Sequence, residues 1–300
     1  MAPLASSLEP IVFLSLVVGA IAAVILGGVL VALVAFTLRY RDPRRSAPQI
    51  HGHRTLEVAW TAIPIAVLAV VFGLSLVTLG QIGRGATFGS LEAPVQVSVI
   101  GHQWWFEFRY ANGAVTANEL HIPAGIPVEL ALESTDVIHD LWVPELGAKS
   151  DVIPGQRNVM RLFSARAGTF GGACAEFCGL EHAWMRVVVI AEPRADFDRW
   201  LAAETASAAA SGRGLEVFKT ALCSSCHVVR GQVIGPSIGP DLTHVASRRT
   251  LAGGVIANTP EALRAWLADP QRYKPGALMP RVRLSDGDLD AVVAYLEALR

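Results

Sequence analysis

The stretch Cys174-Ala-Glu-Phe-Cys178-Gly-Leu-Glu-His182-Ala-Trp-Met185 holds two of the chain's four cysteines, one of its eight histidines and one of its four methionines. Its spacing is Cys-x3-Cys-x3-His-x2-Met. Two thiolates, an imidazole and a thioether form a soft donor set that suits copper. Glycines 171, 172 and 179 let the backbone turn tightly around it, and the chain is expected to re-enter a strand at Arg186. One more strong donor is needed, and His139, after a strand and the polar turn that opens at Ser134, is the candidate. A mononuclear copper site uses one cysteine, so this loop has one too many. Two copper ions bridged by both sulfurs use every donor. Each takes two thiolates and one histidine, with Met185 a weak axial ligand to one and the backbone carbonyl of Glu176 serving the other. Zinc bound by two cysteines and two histidines is the rival, and it leaves Met185 unused.

The other two cysteines fall in Cys223-Ser-Ser-Cys226-His227, the attachment motif for a c-type haem. Both thiols would form thioethers to the porphyrin and His227 would sit beneath the iron. Lys274-Pro-Gly-Ala-Leu-Met279-Pro280 offers Met279 as the sixth ligand, and a His/Met pair suits an electron-transfer haem. His244 is a weaker alternative. The bland reading of all four cysteines is two small disulfides or two thiol-redox pairs. A histidine placed to act as a ligand beside each pair favours metal chemistry.

Apolar residues make up 52% of the chain and charged ones 17%, which leans towards a membrane protein. No charged side chain occurs in residues 10–38 or 58–83, and each run is long enough to span a hydrocarbon core of about 30 Å. A signal peptide competes for the first run but would have a basic start and a shorter apolar core. Between the runs, residues 39–54 carry five Arg and one Asp. The positive-inside rule puts that loop in the cytoplasm and everything after residue 84 outside. Pro64 is expected in the first turns of the second span. Buried core helices are the alternative for both runs.

From Val95 the pattern changes to short strands. Val95–Ile100 alternates, and Trp104–Tyr110, Ile126–Glu133, Asn158–Phe163 and Arg186–Ala191 follow between Gly and Pro turns. This predicts a β-sandwich or barrel of roughly 110 residues. Asp196–Ala203 reads as a short helix and Glu204–Gly214 as a flexible linker. The remainder is helical: Thr259 caps a helix with Pro260 in its first position, and Ser285 opens the last one. The expected division is a transmembrane hairpin at 1–83 (spans about 11–38 and 56–80), a copper domain at 84–203, a linker at 204–213 and a haem domain at 214–300. Residues 81–210 carry nine Lys/Arg against fifteen Asp/Glu, and residues 211–300 eleven against eight. Opposite charge on the two soluble parts favours docking at low salt. No basic stripe suggests nucleic acid.

Several segments together resemble subunit II of haem–copper cytochrome c oxidases: Gly101-His-Gln-Trp-Trp-Phe-Glu-Phe-Arg-Tyr110, His139-Asp-Leu-Trp-Val-Pro144, Lys149-Ser-Asp-Val-Ile-Pro-Gly155 and the Cys174–Met185 loop. Glu57-Val-Ala-Trp-Thr-Ala-Ile-Pro64 is similar to the family's second span. The tail resembles class I cytochrome c, as fused to subunit II in caa-type oxidases. The resemblance implies a two-helix hairpin, a cupredoxin-like β-barrel and an all-α cytochrome c domain. It implies a dinuclear copper A centre on His139, Cys174, Glu176, Cys178, His182 and Met185. It implies one haem c on Cys223 and Cys226, with His227 and Met279 as axial ligands. Trp104 would be the surface aromatic through which electrons enter, and Asp136 would belong to an acidic docking surface. Glu176 would also reach a magnesium ion shared with subunit I, and Glu57 would lie near a proton-uptake entrance. Phe106 departs from the family, many of whose members have Trp there.

The function so implied is passage of electrons from haem c to copper A and on to subunit I, where oxygen is reduced to water and protons are pumped. The chain is expected to hold no catalytic acid, base or oxygen site of its own. Expected partners are subunit I, subunit III, a donor cytochrome c or cytochrome bc complex, and membrane lipid. The expected place is a bacterial cell (inner) membrane, multi-pass, with copper and haem on the periplasmic side. The alternative is an anchored carrier for another reductase, such as a copper A nitric oxide reductase. A copper-storage or sensor protein is disfavoured because storage needs no haem.

Overall fold

The computed structural model describes residues 9–42, 52–84, 93–236 and 238–300. The chain divides into two compact units, Met1–Thr87 and Phe88–Arg300. The first consists of helices α1 (Glu9–Arg39) and α2 (Arg54–Arg84). Both are long and apolar enough to cross a membrane. A helix apolar all round needs lipid or protein on every side, and none of the most apolar stretch of α1 is buried by the chain itself. Helix α2 starts earlier than expected, so Pro64 lies in its interior rather than its first turns. At its start His53 N donates to the Glu57 carboxylate (3.2 Å) and Leu56 N to His53 Nδ1 (3.3 Å). Glu57 is thus occupied in closing the helix's own N-terminus.

The second unit opens with ten strands: β1 (Val95–His102), β2 (Trp105–Tyr110), β3 (Val115–Ala117), β4 (Glu119–Pro123), β5 (Val128–Ser134), β6 (His139–Val143), β7 (Ala148–Val152), β8 (Asn158–Leu162), β9 (Gly168–Cys174) and β10 (Arg186–Glu192). They form two five-stranded sheets, ordered β3-β2-β1-β5-β8 and β4-β10-β9-β6-β7. The pairs β1/β5 and β10/β4 are parallel and the others antiparallel. Alternation along the strands sends Val97, Val99, Phe106, Phe108, Leu130 and Leu132 from one sheet into a shared core with Leu141, Val143, Val187 and Val189 from the other. This is the cupredoxin-like sandwich. Strands β3, β4, β6, β7 and β9 were not among the expected ones. Helix α3 (Arg194–Ala203) buries Phe197 and stacks Trp200 on His121 at 3.9 Å between ring centroids.

Residues 204–210 do not form a free tether. Arg230 donates to the carbonyls of Thr205 (3.2 Å) and Glu204 (3.1 Å), Gln232 Nε2 to that of Ala208 (3.2 Å), and Ala208 N to Arg230 O (3.0 Å). The tail then forms α4 (Arg213–Thr220), a short hairpin of β11 (Thr250–Leu251) and β12 (Ile256–Ala257), and helices α5 (Pro260–Ala268), α6 (Pro270–Tyr273) and α7 (Asp286–Glu297). Thr259 and Ser285 cap α5 and α7, accepting from Ala262 N and Asp288 N as their sequence signals predicted. A second core gathers Phe218, Val245, Leu263, Val292, Tyr295 and Leu296.

Candidate metal centres

Strands β6, β9 and β10 are neighbours in one sheet, which puts the start of β6 beside the end of β9. Leu141 lies opposite Cys174, and Arg186 opposite Ala173. The loop between β9 and β10 is closed at its base by Cys174 N donating to Met185 O (2.9 Å), and Ala175 N donates to Asp140 O (3.1 Å). Gly179 turns it at φ 117°, a left-handed value that costs a glycine little.

The loop collects all the donors singled out above. Cys174 Sγ is 3.9 Å from His139 Nδ1, 3.7 Å from Cys178 Sγ and 3.2 Å from Glu176 O. Cys178 Sγ is 3.6 Å from His182 Nδ1 and 3.9 Å from Met185 Sδ. His139, Cys174, Cys178 and Met185 are buried. The sulfurs stand much farther apart than the roughly 2.05 Å of a disulfide, so they are free thiols. Cys178 donates to Cys174 and, with His139, holds the Cys174 thiol down to about 3, against the opposing effect of burial. The same bond and burial push Cys178 up. Donor chemistry and spacing fit a soft metal centre and leave Met185 a part that zinc does not give it.

Asp136 has a partner that the sequence alone did not reveal. Its Oδ1 accepts from His139 Nε2 (2.8 Å), and its carboxylate also accepts from the backbone N of Val137 (2.6 Å) and of Gln103 (2.6 Å). Burial alone would raise this carboxyl; these donors outweigh it and hold it below the ordinary aspartate value. Burial pulls His139 down, and its bonds to Cys174 and Asp136 push it further up. A carboxylate on the far nitrogen fixes a ligating imidazole's tautomer and orientation, so the exposed Asp136 also serves the candidate site. The spacing Asp-x-x-His was the signal available in the sequence.

The haem motif lines a cavity of about 620 Å³. Cys223, Cys226, His227 and Met279 all border it, in mostly apolar surroundings that also include Arg248, Lys274, Arg281 and Arg283. His227 Nδ1 donates to Pro240 O (2.8 Å), which leaves Nε2 as the ring's free donor atom. Gly239 makes room for this ring, since a Cβ there would stand 2.6 Å from His227 Cε1. Gln271, not foreseen from sequence, ties the methionine loop: its Nε2 donates to the carbonyls of Ala277 (2.8 Å) and Met279 (3.1 Å), and its Oε1 accepts from Gly276 N (2.8 Å). His244 does not border the cavity and donates through Nε2 to Ala206 O (3.1 Å). Two thiols, two axial donors and an apolar slot fit a covalently held haem.

Trp104 also borders the cavity, and its Nε1 donates to Cys178 O (2.8 Å). It is 8% exposed, not a surface aromatic. Lys274 Nζ donates to Trp104 O (3.3 Å) and stands 4.0 Å from the Glu181 carboxylate, so the tail covers it.

Residues 114–192 match the family model described as cytochrome C oxidase subunit II, periplasmic domain, and residues 211–300 match that of cytochrome c. Cytochrome c oxidase subunit 2 of Alkalihalophilus pseudofirmus is 34% identical over 96% of this chain and 85% of its own. The chain belongs to the cytochrome c oxidase subunit II family. The subunit 2 of Bacillus subtilis is 32% identical over 84% of this chain and 76% of its own. A crystal structure of the periplasmic domain of subunit II of cytochrome oxidase from Bradyrhizobium japonicum aligns with 38% of this chain and 95% of its own, at 25% identity and a TM-score of 0.37. Membership of this family implies copper A, and the cytochrome c domain implies haem. With its two apolar helices the chain is a membrane-anchored part of a haem–copper oxidase that associates with subunit I.

Proposed function

We propose that this subunit is a two-centre electron conduit in which haem c feeds copper A inside one polypeptide. Electron transfer into cytochrome c oxidase is the activity of the family, and the oxidase reduces oxygen at a centre in subunit I. Copper and haem c, when bound, supply one-electron oxidation and reduction. Cys174, Cys178, His139, His182, Met185 and the carbonyl of Glu176 would hold two copper ions. Cys223 and Cys226 would anchor the haem, with His227 and Met279 on its iron.

The observation that carries the reading is Trp104. Its ring nitrogen bonds the carbonyl of a copper-site cysteine while the residue borders the haem cavity. A buried aromatic in van der Waals reach of both sites gives electrons a short covalent and hydrogen-bonded path. Asp136 keeps His139 in one tautomer, Pro240 O does the same for His227, and the apolar lining keeps water from the haem. We further assign the exposed Glu176 carboxylate to a magnesium ion shared with subunit I. Glu57 is placed at the cytoplasmic end of α2, near the proton-uptake side. Both helices cross the membrane, with the copper and haem domains on the periplasmic side. Subunit III, membrane lipid and a donor cytochrome c or cytochrome bc complex complete the surroundings.

The test is metal analysis and rapid-reaction spectroscopy of the purified full-length protein. Two copper and one iron per chain are expected, with the copper absorption bleaching after the haem is reduced. Zinc in the Cys174–Met185 loop, or copper that stays oxidised beside reduced haem, would falsify the reading.

A further inference from the structure

Glu119 opens β4 and is 1% exposed, yet its side chain belongs to neither metal site. Among the described residues, every donor it accepts from comes from the haem-bearing tail. Oε1 accepts from Arg249 N (2.8 Å), Thr250 N (2.7 Å) and Thr250 Oγ1 (2.9 Å), and Oε2 from Arg249 N (3.1 Å). Two further bonds run along the same seam. Arg249 Nη1 donates to Thr169 Oγ1 (2.8 Å), and Arg186 N donates to Gly253 O (2.9 Å). The segment so held is β11 and the turn after it. Thr250, Leu251, Ala252 and Gly253 form one wall of the cavity that Trp104 borders on another.

Two of the three donor groups are main-chain amides, which must find an acceptor when buried. Bonds of this kind are screened far less by salt than an exposed ion pair. They differ from the loose electrostatic docking that the opposite charges of the two parts suggest.

We propose that Glu119 is a positioning residue that clamps the β11–β12 hairpin onto the copper domain and fixes the haem cavity against Trp104 before any electron arrives. This rests on haem-to-copper transfer within the chain. Docking is then built into the fold and is not a step of each turnover.

The experiment uses the full-length metal-loaded protein as wild type, Glu119→Leu and Glu119→Gln. Hydrogen exchange is read at the Arg249 and Thr250 amides, and copper reduction is timed after flash reduction of the haem. Protected amides and a rate independent of ionic strength are expected for the wild type. Glu119→Leu should lose the protection, slow copper reduction by about tenfold or more, and make it salt-dependent, because buried amides are left without an acceptor. Glu119→Gln keeps one acceptor oxygen and should recover part of the rate. Absorption spectra of both centres should be the same in all three. If Glu119→Leu does not assemble, Glu119→Gln and Thr250→Val provide the comparison, since each removes part of the cluster. Rapid exchange at these amides in the wild type, or an unchanged rate once they are deprotected, overturns the clamp. A wild type whose haem never reduces its copper refutes the conduit, while the amide protection still decides the clamp.

Discussion

At the scale of single residues, the candidate donor cluster was legible because five of its six members lie within twelve positions and the softness of their donors restricts the metal. His139 was reached as the donor that this set lacked. The part of Asp136 at the site was not legible, because sequence shows its charge but not the turn that aims Oδ1 at His139 Nε2. Replacing it by Ala should weaken copper retention by roughly 10–100-fold, the usual cost of losing an outer partner of a metal-bound histidine. Competition with a graded chelator measures this, and retention equal to wild type would remove Asp136 from the site. Gly239 makes an independent case. Its missing Cβ leaves room for the His227 ring, so Gly239→Val should displace that ring and abolish normal axial ligation. The haem absorption spectrum reports it directly.

Among the elements, helices were read well and strands unevenly. Long apolar runs and capped segments carry their own signal, as Thr259 and Ser285 show. Strands β3 and β7 are short, and β9 includes three glycines in Gly168-Thr-Phe-Gly-Gly-Ala-Cys174, so neither alternation nor β-propensity marks them. Their pairing is decided by neighbours far along the chain. The order within residues 204–210 was not legible for the same reason. Their Ala and Ser composition looks flexible, but Arg230 and Gln232 supply the hydrogen bonds that order them. Two tests belong here. Thr259→Ala should destabilise the tail by about 1 kcal/mol through loss of the α5 cap, seen as a lower denaturant midpoint in the haem band. Arg230→Ala should expose residues 204–210 to limited proteolysis without altering either metal spectrum.

For the whole molecule, the division into anchor, sandwich and helical tail could be read from composition and motifs; the fastening of tail to sandwich could not, because its contacts join residues far apart in sequence, such as 80 positions for Arg249 and Thr169 and 170 for Lys274 and Trp104. Lys274 lies at that seam. Burial pulls its ammonium from the ordinary value of 10.5 down to about 8, although Glu181 opposes this. The folded chain therefore loses this proton before the unfolded chain does. Between about pH 8 and 10.5 the unfolded state holds more protons, so the Lys274 contribution to stability rises with pH across that window. The full change is about 3 kcal/mol. Denaturant titrations of a fragment starting near Arg84 should show this slope, and Lys274→Met should flatten it. A slope that survives the substitution would assign it to another group. The cover that the tail places over Trp104 has a further meaning. An uncovered aromatic beside a redox metal is open to any small diffusing reagent, whether a stray reductant or oxygen itself. In the proposed conduit, Trp104 roofed by the tail would be an insulated wire, and the tail that supplies the current would also be the sheath that stops it from leaking.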